Sequence, residues 1–180
     1  MSELDRSNAY KPSVEQMRRR ELVLQVTNTF EKEQFRYAIV GGYGLDGLLG
    51  TLTRDHGDID LLVENTDVAA KLLAKFGFQR GETKESGVEV LIHPESDTKL
   101  EMASFGTLRA SLDPNISDSV FLSPRLNASL GGKKSRTATL EGHEIMHEIQ
   151  QRRAQAESWD EYPHSKSRAQ LVEKIRNRHE

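Results

Sequence analysis

Three carboxylates stand where strand-forming residues are expected. In "DIDLLV", Asp58 to Val63, two aspartates alternate with apolar residues, and in "TKLEMAS", Thr98 to Ser104, Glu101 interrupts a second apolar run. Side chains two apart on a strand share a face, so Asp58, Asp60 and Leu62 lie on one side and Ile59, Leu61 and Val63 face the core. Carboxylates about 7 Å apart along one strand face repel each other unless a cation lies between them. Mg²⁺ suits that place, because it takes one or two carboxylates and completes its shell with water and phosphate oxygens. A metal pair ~3.5–4 Å apart draws on a third carboxylate. Glu101 is the candidate, as metal ligand or base, with Glu89 and Asp97 as the nearest rivals.

The stretch before the aspartates supplies the complementary charge. Gly41 and Gly42 follow an apolar strand and precede a short helix, so their backbone amides and the helix N-terminus can face an anion. Arg54, four residues before Asp58, is placed to neutralise phosphate charge near the metal. A Gly-Gly pair alone reads as a turn, and Asp-x-Asp alone as a solvated edge. Together they suit phosphoryl or nucleotidyl transfer, in which positioning and charge neutralisation provide most of the catalysis.

The elements that must position these groups follow from periodicity. Ser13 with Gln16 forms a capping-box signal, and Leu22, Val23, Val26 and Phe30 recur at helical spacing, giving an amphipathic helix that ends near Gln34. "RYAIV" reads as a buried strand stopped by Gly41-Gly42, "YGLDGLLG" as a short helix ending at Gly50, "TLTRDHG" as a loop and "DIDLLVE" as the second strand. Thr66 is the expected cap of a third helix, with Val68, Leu72, Leu73 and Phe76 on one face and Gly77 as its stop. "GVEVLIH" and "TKLEMASF" form an expected hairpin around "PESD". Thr107 to Lys134 carries no clear period. "SRTATLEG" reads as a last strand, "HEIMHEIQQRRAQAESW" as a helix, and the segment after Pro163, with Leu171, Val172 and Ile175, as another. This order predicts an α+β fold with a mixed sheet flanked by helices, without fixing strand order.

Composition bounds the rest. The 180 residues fit a disordered lead-in over 1–12 and one domain over 13–180 with a helical C-terminal part. A net charge of -3 gives no global support to nucleic acid as a partner, and the lack of cysteine excludes disulfides and thiolate metal sites. The N-terminus has no apolar signal region and no run reaches the length of a membrane span, so a cytoplasmic protein with no membrane partner is expected.

Gly41, Gly42, Asp46, Gly50, Thr53, Arg54, His56, Asp58 and Asp60 together resemble the signature of the aminoglycoside and lincosamide nucleotidyltransferases, members of the polymerase-β-like nucleotidyltransferase superfamily. The resemblance spans about two dozen residues, extends topologically to Glu101 and fades beyond Phe105. It implies a polymerase-β-like fold and Mg²⁺-dependent transfer of a nucleoside monophosphate, AMP foremost, from ATP or another NTP to an acceptor hydroxyl, with release of pyrophosphate. It implies Asp58, Asp60 and Glu101 as metal-binding and catalytic residues, and Gly41, Gly42 and Arg54 as the triphosphate cradle. Asp46 and His56 are expected to buttress the loop. Many relatives carry Asp where Glu101 stands here. The acceptor is left open by a C-terminal part that does not match. An aminoglycoside- or lincosamide-like molecule, a toxin-type action on nucleic acid or protein, and a catalytically silent binding or antitoxin-like module are the alternatives.

Two other motifs compete. "HEIMH", His143 to His147, matches the zinc-hydrolase pattern on a helix, but Glu141 and Glu148 crowd it, and Gln150 and Arg153 stand where a longer zinc motif needs Gly and His. A polar helix face beside the site is the simpler reading. "GGKKS", Gly131 to Ser135, fails the P-loop pattern, which needs Gly at Asn127 and Ser or Thr at Lys134. His93 reads as a structural turn residue, and Trp159 and Tyr162 as anchors of the C-terminal helix.

Overall fold

The computed structural model describes residues 10–84, 87–111, 115–122, 128–156 and 165–179. Helix α1 (Val14–Lys32) begins where Ser13 accepts a hydrogen bond from the Gln16 N–H at 3.0 Å. Only half of the capping box forms, because the Gln16 side chain is buried and used elsewhere. Val23, Val26 and Phe30 lie on the buried stripe of α1 against the sheet. Burying Phe30 contributes about 1.5–3 kcal/mol.

Strand β1 (Tyr37–Val40) runs directly into α2 (Gly41–Leu49), so the two glycines form the first turn of the helix rather than a turn before it. Strand β2 (Asp58–Val63) leads to α3 (Thr66–Ala74). The cap of α3 is Asn65 rather than Thr66: its side chain accepts from the Val68 N–H at 3.0 Å. The buried face of α3 is Ala69, Ala70 and Leu73, with Val68 turned to solvent.

A two-residue strand β3 (Gln79–Arg80), which no periodicity announces, pairs with β4 (Glu89–His93), and β4 pairs with β5 (Thr98–Ser104). The sheet order is β1-β2-β5-β4-β3; β2 and β5 are parallel and every other pair is antiparallel. His93 hydrogen-bonds Ser96 Oγ at 2.8 Å and packs its ring on Phe78, as a structural turn residue.

The stretch without a clear period holds helix α4 (Phe105–Ser111), a 3-10 turn at Asp118–Val120 and a hairpin of β6 (Ala128–Leu130) and β7 (Lys133–Ser135). Ser104 Oγ accepts from the Thr107 N–H at 2.9 Å and caps α4. Gly131 and Gly132 both take positive φ, the geometry of a tight hairpin turn. Beyond β7, the expected strand "SRTATLEG" reduces to one bridge between Thr137 and Ile39, because α5 (Leu140–Ala156) has already begun. Helix α6 (Ser165–His179) packs Leu171, Val172 and Ile175 against Leu45, Leu48 and Leu49 of α2.

The sheet is therefore covered on both faces. One core layer joins Tyr37, Ile39, Ile59, Leu61, Leu100 and Met102 to α1 and α3; the other joins Ala38, Val40 and Leu62 to Phe105, Phe121 and α5. The alternation read from "DIDLLV" holds, with the aspartates on the α5 side. Of the lead-in, residues 1–9 lie outside the described residues, and Tyr10 donates a hydrogen bond to Asp55. No helix among the described residues is long and apolar enough to cross a membrane.

Candidate active site

The parallel pairing of β2 with β5 places Asp60 directly opposite Glu101 and Asp58 opposite Lys99, while β1 places Val40 beside Asp60 on the other side. Asp58, Asp60 and Glu101 thus share one sheet face on adjacent strands. The rivals stand apart: Glu89 pairs with Arg80 at 3.4 Å, and Asp97 sits in the β4–β5 turn at φ 46°.

This clustering has an electrostatic cost. Burial first, and then the charges of Asp58 and Glu101, push the Asp60 carboxyl up to about 7. Burial acts on Glu101 in the same direction, but hydrogen bonds from Lys84 and Lys99 outweigh it and hold that carboxyl below its usual range. Lys84 Nζ lies 2.7 Å from Oε1 and 2.6 Å from Oε2, and Lys99 also pairs with Oε1. The same contact raises Lys99. Among the described residues no group of three or more His, Asp or Glu side chains is arranged to hold a metal ion. The three carboxylates share a face while Glu101 is engaged by lysine.

Gly41 fits against Asp60 so closely that a Cβ there would lie 2.8 Å from Asp60 Cγ and closer still to Oδ2. Its φ of 65° adds backbone strain for any other residue. Gly41→Ala should cost about 1–2 kcal/mol from the backbone alone, with further loss from displacing Asp60. Urea unfolding measures it, and an unchanged midpoint would contradict the packing described. Gly42 lies under the His56 ring, and a Cβ there would stand 3.3 Å from Arg54 Nη2, so Arg54 is drawn to the glycine pair at the start of α2.

The loop carrying Arg54 is clamped from beneath. Asp46, fully buried on α2, accepts from the Thr53 N–H at 3.0 Å, Thr53 Oγ1 at 2.6 Å and His56 Nε2 at 2.7 Å. Gln16 of α1 accepts from the His56 N–H at 3.0 Å and donates to the Tyr43 hydroxyl at 3.0 Å, and Arg19 donates to the His56 carbonyl at 2.8 Å. The Tyr43 and His56 rings also pack at a tilt, with centroids 4.6 Å apart. Asp46 and His56 stand where a buttress is expected; Gln16 and Arg19 are the part of the clamp that local spacing did not announce.

On α5, His143 is buried and its Nε2 meets Thr137 Oγ1 at 3.1 Å; Thr137 in turn donates to the Ile39 carbonyl at 2.7 Å. The hydroxyl proton is thereby used, so the imidazole donates from Nε2. Burial pushes His143 down to about 3, a neutral ring at neutral pH. Gly44 permits this approach: a Cβ there would meet His143 Nε2 at 2.7 Å and the Ile39 carbonyl at 2.8 Å. "HEIMH" therefore uses its first histidine to lock α5 onto α2 and β1, while His147 Nε2 contacts Gln151. Lys133 of "GGKKS" pairs with Glu21 at 3.1 Å. Trp159 and Tyr162 lie outside the described residues.

Lys84 and Lys99 were not singled out by sequence. Lys99 carried a signal, since Lys-x-Glu on a strand places both side chains on one face. Lys84 comes from a turn on another hairpin, and only tertiary structure brings it near.

The sequence profile of the aminoglycoside-2''-adenylyltransferases matches residues 22–148. No curated protein sequence matches. Among solved structures, ANT(2'')-Ia in complex with adenylyl-2''-tobramycin superposes with a TM-score of 0.59 at 18% identity, over 91% of this chain and 99% of that one. The lincosamide antibiotic adenylyltransferase LnuA, lincomycin-bound, gives 0.62 at 17% identity, over 86% and 96%. An antigenic nucleotidyltransferase-like protein from Paracoccidioides brasiliensis gives 0.56 at 16%, over 87% and 74%. At these identities the structural likeness carries the fold, which is that of the polymerase-β-like nucleotidyltransferases. The profile match spans well over half of the chain and includes Gly41, Gly42, Arg54, Asp58, Asp60 and Glu101, so the chain belongs to the aminoglycoside-2''-adenylyltransferase family and is a nucleotidyltransferase.

Proposed function

We propose that this enzyme transfers AMP from ATP to a hydroxyl of an aminoglycoside- or lincosamide-like acceptor, with Mg²⁺ bound at Asp58, Asp60 and Glu101. The observation that carries the reading is the position of Asp60. It is opposed by Glu101, preceded on its own strand face by Asp58 and pressed by Gly41, and its carboxyl is pushed up to about 7. A carboxylate in that setting is relieved by a cation, and an all-oxygen donor set suits Mg²⁺. Glu101 fits as third donor once its lysine contacts are loosened. When bound, the ion supplies charge neutralisation of the triphosphate and polarisation of its reacting phosphorus.

The chain's own groups supply the rest. Gly41 and Gly42, without side chains, leave the first turn of α2 open to phosphate oxygens, and Arg54 stands beside them as a cation. Asp46, His56 and Gln16 hold the Arg54 loop so that this charge need not reorganise when the nucleotide arrives. Glu101, held below the usual carboxylate range by two ammonium groups, stays ionised at neutral pH and serves better as ligand than as proton acceptor.

Incubation with ATP, Mg²⁺ and a panel of aminoglycosides and lincosamides should release pyrophosphate and add one AMP mass to an acceptor, and EDTA should stop both. Absence of pyrophosphate release with every acceptor in the panel would sink the acceptor class. Glu101→Gln keeps the shape and removes the charge. It should lower the transfer rate by about 10²–10³-fold, the scale for one electrostatic contact to the transition state, while leaving MgATP binding near normal. A wild-type rate in that variant would remove Glu101 from the site.

A further inference from the structure

Glu101 is reached by two lysines that differ in how they are held. Lys99 lies two residues away on β5, fixed on the same sheet face. Lys84 comes from the turn between β3 and β4, where its N–H donates to the Val88 carbonyl and its own carbonyl accepts from the Gly87 N–H, both at 2.9 Å. Its side chain is 47% exposed, whereas that of Glu101 is 15% exposed. Lys84 thus approaches from the solvent side on a flexible four-carbon stem and covers both oxygens of the carboxylate, at 2.7 and 2.6 Å. Those are the oxygens through which Glu101 would join Asp60 around a cation.

We propose that Lys84 is a tethered competitor for the divalent cation at Glu101, closing this carboxylate with its ammonium group when no cation is bound and withdrawing into solvent when one enters. The inference rests on the reading of Asp58, Asp60 and Glu101 as metal ligands. Its physical basis is charge accounting on one sheet face. Three carboxylates held together need compensation in every state of the enzyme, and a mobile ammonium provides it without the multivalency of a metal. Lys99 cannot play the part, because leaving Glu101 would still keep it on the same face. Lys84 can leave by rotating its side chain, with its backbone bonds to Gly87 and Val88 intact. The affinity for cation is then set in part by a residue that is not a ligand.

Mn²⁺ is a suitable probe, because unbound Mn²⁺ is read directly by electron paramagnetic resonance without nucleotide and without turnover. Lys84→Met keeps much of the stem and removes the charge at an exposed position. It should tighten the Mn²⁺ dissociation constant about tenfold, the scale of losing one charge-assisted hydrogen bond to a competitor. Removing any nearby positive charge favours a cation to some extent, so the same substitution is made in a Glu101→Gln background. There the ion pair no longer exists, and Lys84→Met should tighten Mn²⁺ binding clearly less, through the longer-range field of its charge alone. Equal affinity of wild type and Lys84→Met, or equal tightening in both backgrounds, overturns the proposal while leaving the metal reading intact. No Mn²⁺ binding in any of the four proteins overturns the metal reading and the competitor with it.

Discussion

Asp60→Asn should reduce nucleotidyl transfer roughly 10³-fold, the upper scale for removing one charged transition-state contact, and at the same time raise the melting temperature of the cation-free protein at pH 8. The two effects share a cause. Asp60 lies under Gly41, opposite Glu101 and on the face of Asp58, so an uncompensated charge there is costly. The pH dependence has a definite sign. Folding raises this carboxyl from 3.8 to about 7, so between those values the folded chain keeps a proton that the unfolded chain has released. Stability associated with this group is present at low pH and is lost as pH rises from about 4 to about 7. The Asn variant lacks that loss, so its advantage should be full above pH 7, shrink as pH falls, and vanish near pH 4. A difference of only 1 kcal/mol would appear as about 2–4 °C in a chain of this size. Calorimetry across pH, beside a pyrophosphate assay, reads both. A variant that melts lower than wild type at pH 8 without cation would show that the cluster is compensated by other means.

Asp46→Ala should give the largest stability loss of any substitution near the site, about 3–5 kcal/mol, the range for removing one partner of a buried charged hydrogen-bond pair. Asp46 receives the Thr53 N–H, the Thr53 hydroxyl and the His56 imidazole inside the protein. A native state holds only about 5–15 kcal/mol in total, so this is a substantial share. The loop that lets go carries Arg54, and nucleotide affinity should fall in whatever fraction remains folded. Asp46→Asn retains an acceptor and should cost clearly less. Urea unfolding of the two variants distinguishes these outcomes; a loss below about 1 kcal/mol for Asp46→Ala, the worth of one ordinary exposed hydrogen bond, would mean that the clamp is not what holds the loop.

The candidate site is legible in the sequence where its signal is local. "DIDLLV" alternates along one strand, and period two settles which side chains share a face without knowledge of the neighbours. Glu101 was found as an acidic break in an apolar run, and the pairing of Asp60 with Glu101 puts it on the expected face. What sequence could not supply was long-range. The parallel pairing of β2 and β5 joins segments about forty residues apart, and no turn chemistry fixes that register. Lys84 and Gln16 reach the site through it or through the packing of α1, and neither has a neighbour in sequence that hints at its role. Between Thr107 and Lys134 the elements are too short for periodicity to build up, as β6 and β7 have three residues each. The expected cap Thr66 gives way to Asn65 one residue earlier; both residue types cap, and helix boundaries shift by one or two residues on such differences.

The contact of the 136–138 segment with β1 has a consequence for how the molecule behaves in a crowd. A sheet edge with free N–H and C=O groups is a template for another chain, and "YAIV" is an apolar segment of the kind that recruits one. Both backbone groups of Ile39 on that side are taken, its N–H by the Arg136 carbonyl and its carbonyl by the Ala138 N–H, each at 3.0 Å. The opposite edge is closed by brevity, since β3 offers two residues and Arg80 carries a charge. The apolar strand beside the acidic cluster, β1, is the edge strand of the five-stranded sheet. The stretch that locks α5 in place also serves as a guard against self-association.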